Sequence, residues 1–141
     1  IKRDKGLEGF ARMVVNPLIG QTLKIQHTPE MGELRVISLV NDEGHTEFHI
    51  HNNNAMPGTS APHDTITPFK HAVSIIHNDA ANVIASGGSV QLQTIGDSAQ
   101  MKTYKKIAER LASKAGKQVI DGGVKPLTSV PFLSGPTIII K

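Results

Sequence analysis

The chain has 141 residues with 15 Lys/Arg, 12 Asp/Glu, seven His and a net charge of +3, a length that makes one domain with a core of its own. With no Cys, disulfides and thiolate ligands are excluded, so a bound zinc, manganese or magnesium ion would rest on His, Asp, Glu or water. No apolar run is long enough for a helix to cross a bilayer, which argues against a membrane partner.

In chain order, Asp4 is placed to cap a first helix over about residues 5–15, whose Leu7, Phe10, Ala11 and Val14 share a face and which Pro17 stops. Residues 21–27 alternate and predict a strand with Leu23 and Ile25 inward. Residues 33–40 and 45–51 flank Asn41-Asp42-Glu43-Gly44, the pattern of a β-hairpin. Residues 52–66, rich in Asn, Pro, Gly and Ser, read as loop. Thr67-Pro68 then offers an N-cap and an N1 proline for a second helix to about Ser86. Its buried stripe is Phe69, Ala72, Val73, Ile76, Ala80, Val83 and Ile84, and Gly87-Gly88 ends it.

Residues 89–95 predict a fourth strand. Asp97 or Ser98 caps a third helix, Gln100 is placed for a capping box, and Gly116 is the residue just past its end. The apolar positions of that helix are Met101, Tyr104, Ala108, Leu111 and Ala115. Residues 117–120 return as a strand, so residues 89–120 read as a βαβ unit with a right-handed crossover. Residues 121–141 carry Pro126, Pro131 and Pro136 and close on the strand signal of residues 137–140.

The fold class that follows is α+β: a small mixed sheet built around the hairpin, packed by two or three helices, with an extended C-terminal arm. Residues 1–120 form the single domain and residues 121–141 the arm, which either wraps its own domain or adds a strand to the sheet of a protein partner. Nothing near the start reads as a secretion signal, and localisation stays open. Ile1 in place of an initiator Met leads us to expect a chain processed or excised from a longer protein.

Charge is unevenly spread. Residues 1–97 hold seven Lys/Arg against ten Asp/Glu, whereas residues 98–141 hold eight against Glu109 and Asp121 alone. On the third helix, Lys102, Lys105, Lys106 and Arg110 lie on or near the face opposite its apolar positions. Such a face suits an anionic partner, nucleic acid first, although a solvated helix face carries the same residues and few aromatic side chains are present to stack on bases.

The densest chemistry lies in residues 45–51. Strict alternation puts His45, Glu47, His49 and His51 on one face of a strand, with Thr46, Phe48 and Ile50 on the other. Two imidazoles two residues apart on a strand can reach one divalent ion, with Glu47 as a third ligand or a base. A row of polar residues is equally what the wet face of a half-buried strand looks like.

The motif His49-Ile50-His51, with Tyr104 on a later helix, resembles the HUH single-strand nucleases. That resemblance implies a divalent metal held by the two histidines and a tyrosine nucleophile at Tyr104. Tyr104 is followed by Lys105-Lys106 and not by the Tyr-x-x-Lys pattern of the replication-initiator branch. The same histidines, followed by Ser60 and by Asp64 ahead of a helix, resemble the JAMM zinc peptidases, which implies a zinc site of His49, His51 and Asp64. Asn52 stands where that family has Pro, and the Ser-to-Asp spacing is one residue longer. Gly96-Asp97-Ser98 resembles the nucleophile block of GDS-type esterases, and a helix N-cap accounts for the same three residues.

Two readings therefore stand. The first is a non-catalytic binding or assembly module, possible nucleic-acid contacts falling on the basic third helix and no cofactor being required. The alternative is a His-centred metal hydrolase with His45, His49, His51 and Asp64 as candidate ligands and Glu47 and Tyr104 as candidate catalytic residues.

Overall fold

The computed structural model describes residues 24–52, 66–94, 98–127 and 134–141. Six strands form one mixed sheet: β1 (Lys24–Gln26), β2 (Leu34–Val40), β3 (His45–Asn52), β4 (Ser89–Gln93), β5 (Val119–Pro126) and β6 (Ser134–Ile140). Their spatial order is β1-β2-β3-β4-β6-β5. Two helices, α1 (Ile66–Ala85) and α2 (Ser98–Ala115), pack against it and against each other. This is the α+β architecture read from the sequence.

The hairpin of β2 and β3 is antiparallel with a continuous register from Leu34 opposite Asn52 to Val40 opposite Thr46. Asn41 organises its turn: its Oδ1 accepts from the backbone N–H of Glu43 and of His45, both at 3.0 Å, and its carbonyl accepts from Gly44. Gly44 takes a φ of 83°, a left-handed conformation that a side chain would penalise.

β3 and β4 are parallel, with α1 as the crossover between them. The helix begins at Ile66, one residue ahead of the expected cap, so Thr67 and Pro68 fall in its first turn, where a missing N–H costs no helical bond. Its end matches expectation. Gly87 N–H donates to Ile84 O and Gly88 N–H to Val83 O, the paired bonds of a Schellman cap, with Gly87 at a φ of 86°. α2 closes in the same manner at Gly116, where Lys117 N–H donates to Ala112 O.

The helices cover one face of the sheet. Leu34, Val36, Phe48, Ile50, Val90, Leu92, Ile138 and Ile140 meet Ala72, Ile76, Ala80 and Ile84 of α1 and Met101, Tyr104, Ile107, Ala108, Leu111 and Ala112 of α2 in a single cluster. The expected stripes hold, with two corrections. Ala115, at the last position of α2, is exposed beyond the sheet, and Ile107 and Ala112 are buried although neither was expected. A third correction concerns β1, where Ile25 is 43% exposed on an edge strand of only three residues.

The C-terminal segment changes the topology. β4 pairs with β6 and not with β5, and β6 pairs antiparallel with β4 on one side and with β5 on the other. β4, α2 and β5 thus form a split βαβ unit with the last strand slotted into its gap. The expected arm is docked on its own chain, inside the sheet, as the Ile138-Ile139-Ile140 run requires of a strand buried on both faces. The first predicted helix and most of the loop after β3 lie outside the described residues.

Candidate functional site

The register of β2 against β3 decides the environment of the histidine row. As expected, Phe48 and Ile50 point into the core with the helices, and His45, Glu47, His49 and His51 point the other way. That second face is not wet, which corrects the expectation that it would be the accessible one. Glu47 is 2% exposed, His45 and His51 are buried, and only His49 retains partial access. On the same face, Ile37 lies opposite His49 and Leu39 opposite Glu47, both buried, while β4 sets Ser89 beside His45 and Gln91 beside Glu47.

Burial of so many polar groups favours hydrogen bonding among them, and several are paired. Glu47 Oε1 accepts from His49 Nε2 at 2.9 Å. His45 Nδ1 and Ser89 Oγ lie 2.6 Å apart across the parallel pair. Asn41 Nδ2 donates to Gln91 Oε1 at 3.1 Å, and Gln93 Nε2 donates to Lys125 O at 2.7 Å and Gly135 O at 3.3 Å. These bonds join the hairpin turn to β4, and β4 to β5 and β6. A one-residue slip of β3 would send the imidazoles and Glu47 into the apolar core, so the layer holds the register. Chemically, a buried carboxylate–imidazole pair can hold a proton between two sites.

Among the described residues, no group of three or more His, Asp or Glu side chains is arranged to hold a metal ion. His49 and His51 share a face, yet His49 spends its Nε2 on Glu47. Asp64, Ser60, Gly96 and Asp97 lie outside the described residues.

Tyr104 is 1% exposed in the interior of α2, and Gln100 Nε2 donates to its hydroxyl at 3.3 Å. Desolvation pushes the phenol far above its ordinary pKa, outweighing the opposing hydrogen bond from Gln100. Tyr104, the nucleophile that the HUH resemblance implies, thus has a buried hydroxyl and a ring that is part of the core.

No protein-family model, curated protein or solved structure matches this chain. Its function must be argued from its own surface.

Among the described residues, α2 carries a dense set of exposed charges. Lys102, Lys105, Lys106 and Arg110 are all exposed, Lys102, Lys106 and Arg110 on the side away from Tyr104, Ala108 and Leu111 and Lys105 on the flank beside Met101. Lys102, Lys106 and Arg110 follow an i, i+4, i+8 row, about 6 Å apart along the axis. Lys114 and Lys117 extend the basic stretch beyond it, both exposed. Lys125 pairs with Glu43 at 3.0 Å, whereas Lys102, Lys105, Lys106 and Arg110 form no ion pair with a described carboxylate.

Sequence reasoning missed the burial of the polar layer. Its signal was present in the neighbouring strands. Val36-Ile37 places apolar side chains on both faces of β2, the partner of β3 in the hairpin, and a strand beside such a neighbour has no wet side.

Proposed function

We propose that this chain is a non-catalytic binding module that engages polyanions, nucleic acid foremost, through the outward face of α2. The observation that carries this reading is the row of Lys102, Lys105, Lys106 and Arg110, exposed and without carboxylate partners among the described residues. A helix anchored by six buried side chains presents those cations from a rigid support, so little ordering opposes each phosphate contact. Among the described residues, Phe69 is partly buried and Phe48 and Tyr104 are in the core, so none of these three is a stacking platform. Contacts to the sugar–phosphate backbone therefore dominate, and recognition is weak in sequence preference.

The test is a titration of the protein with single- and double-stranded DNA and RNA at two salt concentrations. Affinity should fall with salt with a log–log slope of about −0.9 for each duplex phosphate neutralised. The variant with Lys102, Lys105, Lys106 and Arg110 changed to Ala should lose that binding and keep its melting temperature. Absence of binding by the wild-type protein at low salt overturns the reading.

A further inference from the structure

α2 has a second flank, turned towards β5, whose chemistry is different. Between the helix and the outer strands lies a half-open groove of about 390 Å³, within the size range of small-ligand sites. Its apolar walls come from Met101, Val119, Pro136 and Ile138, and its charged groups are Lys105, Glu109 and Asp121. Glu109 and Asp121 are the two acidic residues of the whole 98–141 stretch, which otherwise carries eight cations. Both line this one groove, while the cations apart from Lys105 point elsewhere.

The three charges are placed on opposite walls. Lys105 and Glu109 are i, i+4 neighbours on α2, about 5–6 Å apart between Cβ atoms. Asp121 shares the helix-side face of β5 with Val119, since their partners Ile138 and Ile140 both belong to the core. Asp121 is also fixed: its Oδ1 accepts from Gly123 N–H at 2.8 Å across the bulge of β5. None of the three forms an ion pair with a described residue, so each head group is available to a ligand.

We propose that this groove binds a short apolar peptide with free termini, of dipeptide size. Its ammonium group sits between Glu109 and Asp121, its carboxylate meets Lys105, and its side chains lie on Met101, Val119, Pro136 and Ile138. Two extended residues span about 7 Å, comparable with the separation of the Lys105 and Glu109 side chains. A purely cationic ligand would meet Lys105 as a like charge, and a purely anionic one would meet two carboxylates. The zwitterion satisfies all three groups at once.

The experiment uses Leu-Leu as the probe, followed by amide chemical-shift changes in the full chain, with acetyl-Leu-Leu and Leu-Leu-amide as the forms that each lack one terminal charge. Free Leu-Leu should give saturable shifts concentrated at Met101, Lys105, Val119 and Ile138, and each capped form should bind at least about tenfold more weakly, the effect of losing a charged hydrogen bond. Glu109→Gln and Asp121→Asn should weaken Leu-Leu to a similar degree while leaving the melting temperature unchanged and polyanion binding no weaker; Asn at 121 retains the acceptor for Gly123. No saturable shifts up to the solubility of Leu-Leu, capped forms that bind as well as the free one, or variants that bind like wild type overturn the proposal. The capped peptides keep the test valid even if a variant fails to fold.

Discussion

The two faces of β3 differ more than their shared strand would suggest. One buries Phe48 and Ile50 against two helices, and the other buries Glu47, His45 and His51 against Ile37, Leu39 and the polar residues of β4. Both are interior. The helix side is held by packing, which tolerates rearrangement of shape, and the far side by hydrogen bonds, which tolerate none of register. A polar row in sequence is therefore no proof of a surface, and the exposed cations lie elsewhere, on the outside of α2.

Neighbouring residues of one strand give the direct way to test this comparison. Phe48→Ala should cost about 3–5 kcal/mol in denaturant unfolding, through lost burial and the cavity left behind. Glu47→Ala should cost about 3 kcal/mol, because it strips His49 of its buried partner. A loss below about 1 kcal/mol at Glu47 would mean that the far face is not a structural layer, and it would restore the histidine row as an accessible site. The comparison is sharpened by a double-mutant cycle on Glu47 and His49, for which a coupling of about 0.5–3 kcal/mol is expected.

Tyr104 supplies an optical test of the helix side, since it is the sole Tyr and no Trp is present. Its phenol is raised in the folded state, so its contribution to stability is complete below the ordinary phenol pKa of about 10 and is lost as pH rises further, when unfolding releases the proton. Tyrosinate absorbance should appear together with loss of helical circular dichroism, in one transition. Ionisation near pH 10 in a protein still folded would place the hydroxyl in solvent. The smallest effects on stability belong to Lys102, Lys106 and Arg110, whose replacement by Ala should each change it by under about 0.5 kcal/mol while polyanion affinity drops.

The hairpin and both helix ends were legible because each depends on local chemistry: Asn41 and Gly44 in the turn, Gly87 and Gly116 past the helices. So were the apolar stripes, whose period is set by the helix itself. What could not be read were facts of neighbourhood. The βαβ reading of residues 89–120 is correct in its elements and incomplete in its pairing, because no local feature announces that β6 fills the gap beside β4. Tyr104 has the same residue type as a nucleophile, and its burial between the helices and sheet is not visible in that residue type. The exposed basic side of α2 was visible from helical spacing alone, whereas the convergence of Glu109 and Asp121 needed the antiparallel course of β5 and β6.

The position of β6 also dictates an order of assembly. β4 and β5 cannot close upon each other, since the strand that joins them is made after both. Until residues 134–140 arrive, each leaves a row of backbone donors and acceptors open to any passing chain. Pairing Val90 with Ile140 spans 50 residues of sequence, a contact that costs much loop entropy before any packing rewards it. By sequence separation alone the hairpin is the cheapest pairing of the sheet, and the capture of β6 by β4 is the most expensive.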